Sequence, residues 1–157
     1  MAEIKTNVMR ILDKSKINYK HYTYEADGNT TGQEVAKKLG QNPAQVFKTL
    51  VTVGKSKNYY VFVVPVEKEL NLKWAASSVG EKSIEMIKSK DLLTVAGYIH
   101  GGCSPIGMKK KYKTTIDVQA EEFDTIIFSG GKIGCQVQLS LEDLKKVIDF
   151  QICKIAE

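Results

Sequence analysis

Long apolar stretches, paired cysteines and arginine are all scarce in this sequence. The longest apolar run, Tyr59 to Val66, is far short of the ~20 residues that a membrane helix needs, which excludes a helical membrane protein. The opening Met1-Ala2-Glu3-Ile4-Lys5 has no apolar signal core, so the expectation is a cytoplasmic protein. Cysteine occurs only at 103, 135 and 153, an odd number without a CxxC pair, and His21 and His100 stand at no zinc-binding spacing. A disulfide framework and a structural metal site are therefore disfavoured, no cofactor is expected, and reduced thiols fit the cytoplasm. Arg10 is the only arginine among 23 basic residues. Lysine attracts phosphate as a point charge, whereas base edges are read best by arginine. A nucleic-acid partner would be held by its backbone or its end, and base-by-base reading of DNA is not expected.

What is present suits a globular protein. The chain has 157 residues, of which 43% are hydrophobic and 26% charged, enough for one domain with a sizeable core. No repeat, low-complexity tract or long linker divides it, so 1–157 reads as one domain. The net charge of +5 allows a polyanionic partner but also fits an ordinary lysine-rich surface.

Periodicity and punctuation predict the elements. Ile4, Val8, Ile11 and Leu12 share a helical face, Tyr19 to Tyr24 alternates as a strand, and Asp27-Gly28 marks a turn. Thr31-x-x-Glu34 is a capping box for a helix burying Val35, Ala36 and Leu39 and ending at Gly40. Asn42-Pro43 opens a short turn. Val46–Val53 and Tyr59–Val66 are the two strongest strands, joined by a hairpin. Helices are predicted from Asn71 to Val79 and from Ser89 to Ala96, each followed by glycine. Strands follow at Thr114–Val118, Thr125–Phe128 and Gly134–Leu139. Ser140-x-x-Asp143 caps a helix burying Leu141, Leu144, Val147 and Ile148, and Gln151–Ile155 reads as a last strand. The class is α+β (mixed α/β): a twisted mixed sheet surrounded by helices.

Lys48 is the residue that most needs explaining. It sits in Val46-Phe47-Lys48-Thr49-Leu50-Val51, where alternation puts Lys48 with Val46 and Leu50 on one face and Phe47, Thr49 and Val51 on the other. Two apolar faces mark a covered strand, and an ammonium group is costly there unless it has a partner or snorkels to water. The functional reading is an amine held by a rigid strand at the mouth of a pocket.

Two glycine loops add to it. Gly101-Gly102-Cys103-Ser104-Pro105-Ile106-Gly107 lets backbone N–H groups approach a phosphate or an ester oxygen, without the Walker A pattern. Ser129-Gly130-Gly131-Lys132 is a second such loop, and read alone either is a turn. Cys103 lies three residues from His100, which raises a cysteine nucleophile as a competing reading. Cys135, Cys153 and His21 read as structural. Lys109, Lys110, Lys111 and Lys113 with Tyr112 form either a solvated face or a patch that steers RNA.

Taken in order, Phe47-Lys48-Thr49-Leu50, Gly97-Tyr98-Ile99-His100-Gly101-Gly102-Cys103-Ser104-Pro105-Ile106-Gly107 and Ser129-Gly130-Gly131-Lys132 resemble the YbaK/EbsC family, relatives of the editing domain inserted in bacterial prolyl-tRNA synthetases. The resemblance runs from the first helix to the last. It implies a trans-editing deacylase that hydrolyses the ester of mischarged tRNA, typically cysteine on proline tRNA, with the tRNA 3′ end and a prolyl-tRNA synthetase as partners. It implies Lys48 as the essential lysine and Gly101 as the residue whose backbone addresses the scissile carbonyl. Tyr24, Thr49 and Ser129 would line the pocket, with Gly102 offering a second N–H, and no metal is implied. Three rim positions depart from the family pattern: Thr31 stands for an aromatic, Ile133 for an arginine and Gln136 for an acid. The alternatives are a deacylase for another amino acid such as alanine, a module that binds an aminoacyl-tRNA end or a small anion without catalysis, and a cysteine hydrolase.

Overall fold

A computed structural model describes residues 5–26 and 30–157; the turn expected at Asp27-Gly28 and the Ile4 position lie outside them. The chain runs through α1 (Asn7–Lys14), β1 (Lys20–Thr23), α2 (Gly32–Lys38), β2 (Phe47–Gly54), β3 (Tyr59–Pro65), α3 (Leu72–Val79), β4 (Ile84–Met86) and α4 (Leu92–Ala96). It continues through β5 (Lys113–Asp117), β6 (Ile126–Ser129), β7 (Cys135–Leu139), α5 (Leu141–Leu144) and β8 (Gln151–Cys153).

Local signals set most of these boundaries. The side chains of Thr6, Thr31, Asn71 and Ser140 each accept a hydrogen bond from a first-turn backbone N–H of α1, α2, α3 and α5. Gly80 and Gly97 end α3 and α4 in the left-handed region, with φ of 73° and 85°. The segment expected as a helix from Ser89 splits into a 3-10 turn, Ser89–Asp91, and the short α4. The three-residue β4 and the 3-10 turn Val118–Glu122 carry too few residues to leave a periodic pattern. The expected last strand stops at Cys153, because the N–H groups of Ile155 and Ala156 turn instead to the buried carboxylate of Asp117, at 2.9 and 3.0 Å.

The α+β class holds, but the strands divide between two sheets rather than forming one. A five-stranded mixed sheet has the order β4-β2-β3-β5-β8, with β3 at its centre. β2 is antiparallel to β3 and β4, while β3–β5 and β5–β8 are parallel. A three-stranded antiparallel sheet has the order β1-β7-β6. The division has a packing cause. Phe47, Val51, Val61 and Val63 from the large sheet and Ile126, Phe128, Val137 and Leu139 from the small one enter one core with Val8 and Leu12 of α1. Each sheet has an apolar face to bury, and facing each other across that core buries both. The opposite face of β3, Tyr60, Phe62 and Val64, packs on Ala75 and Ala76 of α3. A third cluster joins Ala36 of α2 to Val46, Val66 and Ile127 at the seam between the sheets.

Candidate active site

The sheets meet along strand backbones at a parallel bridge, Val46↔Ile127. The bridge does not grow into a ladder, though β2 and β6 remain neighbours beyond it. Two residues further on each strand stand Lys48 and Ser129. Side chains two apart share a face, so both extend the face that carries Val46 and Ile127 at the seam. Across the small sheet Ser129 pairs with Gln136, and Gln136 pairs with Tyr22, which precedes Tyr24 by two. Tyr24 lies just past the end of β1 and donates its backbone N–H to the Gly134 carbonyl at 2.9 Å. Lys48, Ser129, Gln136 and Tyr24 are thus brought by register to one side of the seam, beside α2.

Lys48 stands on β2 two residues past this bridge. Its side chain is 30% exposed, and Nζ lies 3.6 Å from a carboxylate oxygen of Glu69, itself 85% exposed. So open an ion pair is screened by water and holds the amine only weakly. The ammonium therefore has its stem on the core and its head available to an anion. Thr49 stands on the other face of β2, toward the main core, and its hydroxyl is buried with no hydrogen-bond partner. β4 pairs only with residues 52–54, so between the Val46 bridge and Thr52 the edge of β2 away from β3 has no ladder among the described residues.

The two glycine loops touch each other. A Cβ on Gly102 would stand 3.1 Å from the Ile133 nitrogen, so the first loop rests on the backbone of the second. The Ser129 hydroxyl accepts from Gly131 N–H at 3.1 Å, and Gly130 N–H donates to the Cys135 carbonyl at 2.9 Å. Gly102 does not supply a second N–H for an ester oxygen, because it donates to the Ile99 carbonyl at 3.0 Å. Gly101, exposed and at φ 89°, has no described acceptor for its N–H and keeps it available. The described contacts do not link Gly101 directly to Lys48; the path between them runs through Lys132, Ile133 and the Ser129 loop.

The cysteine nucleophile is not supported. Burial pushes the Cys103 thiol up to about 12, so it stays protonated at neutral pH, and His100 is exposed. Burial also raises Cys135 and Tyr24. Sequence reasoning missed Gln41, whose Nε2 donates to Oε1 of Gln136 at 2.8 Å while its own Oε1 is buried without a partner. No spacing rule links positions 41 and 136. Glu69 was missed for the same reason.

Residues 25–147 match the sequence profile of the aminoacyl-tRNA editing domain. Over 152 residues the chain is 41% identical to a protein of Enterococcus faecalis named "Putative Cys-tRNA(Pro)/Cys-tRNA(Cys) deacylase EbsC", covering 96% of this chain and 93% of that one. Over 110 residues it is 27% identical to a proline–tRNA ligase of Kosmotoga olearia, covering 70% of this chain and 19% of the ligase. A crystal structure described as that of "a putative trans-editing enzyme for prolyl tRNA synthetase" superposes with a TM-score of 0.83 at 21% identity, over 98% of this chain and 99% of that one, which shows a shared fold.

Proposed function

The chain belongs to the aminoacyl-tRNA editing domain family, and from that premise we propose that this trans-editing aminoacyl-tRNA deacylase clears cysteine from proline tRNA. The substrate is the ester between an amino acid and the terminal ribose of tRNA. Such an ester is already activated, so hydrolysis needs orientation and charge stabilisation more than a strong protein nucleophile.

On this proposal the Lys48 ammonium meets the terminal ribose or phosphate, where it adds positive potential at the carbonyl. Gly101 N–H donates to the oxyanion that develops there. Tyr24 and Ser129 line the space around the amino acid, while the buried Thr49 hydroxyl, on the other face of β2, shapes the strand behind it. Gly102 shapes the loop rather than donating to substrate. With cysteine as the amino acid, the substrate's own thiol attacks: it loses its proton, a C–S bond forms, the ester C–O bond breaks and the ribose oxygen takes up a proton. With alanine, water must attack instead. A prolyl-tRNA synthetase is the natural partner for choosing the tRNA.

The observation that carries the reading is the placement of Lys48 and Ser129 each two residues past one parallel bridge, on the face it shares, with the amine only loosely held by Glu69. The test is incubation with tRNAs mischarged with cysteine, alanine or serine. Cysteine should be released fastest, and Lys48→Ala should lower its rate at least ~10²-fold, the scale of removing one preorganised donor, while the fold is kept. Undiminished turnover in that variant ends the proposal, and preferential release of alanine would replace cysteine as the substrate.

A further inference from the structure

The larger of two described cavities is not at Lys48. It is a groove of about 420 Å3 formed by residues 105–114 on one side and 145–149 on the other. Lys110 and Lys111 line it from one wall and Lys145 and Lys146 from the opposite one, against a single acid, Asp149. The four lysines are exposed, and they come together only through folding.

Their surroundings neutralise only Lys146. Lys146 pairs with Asp143 at 2.9 Å, and Lys145 lies 5.7 Å from the centre of the Phe150 ring. Lys110 and Lys111 make no ion pair among the described residues. Gathering like charges around a concave surface gains the folded chain nothing, but it focuses positive potential on a polyanion. Lysine without arginine suits phosphate oxygens rather than base edges. One loop joins the groove to the candidate active site along the chain. Pro105 and Gly107 line it and belong to the same loop as Gly101, and the four residue steps from Gly101 to Pro105 span at most ~14 Å.

We propose that this groove holds the phosphodiester backbone of the tRNA acceptor end while the aminoacyl ester lies beside Gly101 and Lys48. The proposal rests on the deacylase reading for its substrate and adds to it where the rest of the RNA strand runs. It makes these lysines binding residues with no part in bond cleavage.

The experiment compares wild type, K110Q/K111Q/K145Q, and K55Q/K57Q/K82Q, which removes the same charge far along the chain at the β2–β3 hairpin and the loop after α3. Binding of uncharged proline tRNA is read by fluorescence anisotropy from about 50 to 200 mM salt. The groove variant should bind at least ~10-fold more weakly, and its log–log salt slope should fall by ~0.7–0.9 for each phosphate it no longer neutralises. The hairpin variant should stay within ~2-fold of wild type, a smaller change than neutralising one phosphate makes. In turnover, the groove variant should raise KM for aminoacyl-tRNA by the same factor, leave kcat unchanged, and cleave an aminoacyl-adenosine as wild type does. Equal weakening in both variants, undiminished binding by the groove variant, or absence of tRNA binding by wild type overturns the proposal. The anisotropy measurement needs no catalysis. Groove-dependent binding by a protein that hydrolyses no mischarged tRNA would therefore support the groove and overturn the deacylase reading instead.

Discussion

At the scale of single residues, what matters is which polar groups are already engaged. Among the described residues Lys48 has only an exposed carboxylate 3.6 Å away, so Glu69→Gln should change the unfolding free energy by no more than ~0.5 kcal/mol, measured by urea titration. A much larger change would show that the pair holds the strand together and that the amine is not available. Cys103 leads to the opposite kind of expectation. Its thiol is pushed up to about 12 by burial, so Cys103→Ala should keep deacylation within a few-fold and leave the pH–rate profile without a new inflection between about pH 6 and 9. Gln136 accepts from Gln41 inside the protein, so Gln136→Leu would leave that amide unpaired and should cost ~1–3 kcal/mol.

At the scale of elements, α2 decides the geometry of the seam. It reaches Val46 and Ile127 through Ala36, and its first residue, Gly32, packs on Val66 so tightly that a Cβ would fall 2.4 Å from Cγ1 and 3.0 Å from Cβ of that valine. Valine is too short to swing aside, so the helix must lift. Gly32→Ala should therefore destabilise by ~1–3 kcal/mol and lower kcat as well, because the helix beside Lys48 and Ser129 shifts. Unchanged stability would mean that the seam repacks freely. This close approach left no trace in the periodicity of the sequence, where Thr31-Gly32-Gln33-Glu34 reads as a capping box. The caps themselves were legible, because a side chain that reaches a backbone N–H two or three residues on depends on nothing distant. The last helix shows the limit of such signals. Its apolar spacing is helical to Ile148, yet α5 is one turn, after which Val147 and Ile148 N–H groups both point at the Leu144 carbonyl.

At the scale of the whole molecule, acid should act through contacts between distant segments. Glu81, just after α3, accepts from the Ser56 hydroxyl and the Tyr60 phenol, each at 2.5 Å, and these bonds hold its carboxyl below the ordinary value of 4.5. A depressed folded-state pKa gives stabilisation that is complete above the unfolded value and is lost as pH falls through the folded one. Glu81→Gln should therefore flatten the fall in thermal midpoint below about pH 4.5 and leave its pH dependence above that unchanged. An acid limb as steep as that of wild type would mean that the carboxylate does not tie the β2–β3 hairpin to the end of α3.

By itself the sequence determined what depends on neighbours along the chain: the alternation that makes β2 and β3 strands, the caps and glycine stops of the helices, and the anomaly of a lysine in an apolar run. It determined the membership of the family as well, because three short motifs recur in order. Only the tertiary structure decided that the strands form two sheets, that Lys48 and Ser129 stand level past one bridge while Thr49 turns to the other face, that Gly102 spends its N–H on Ile99, and that lysines near 110 and 145 face one groove. Those are outcomes of how apolar faces bury one another across long loops, and pairing of that kind follows the summed packing of the core rather than any local pattern.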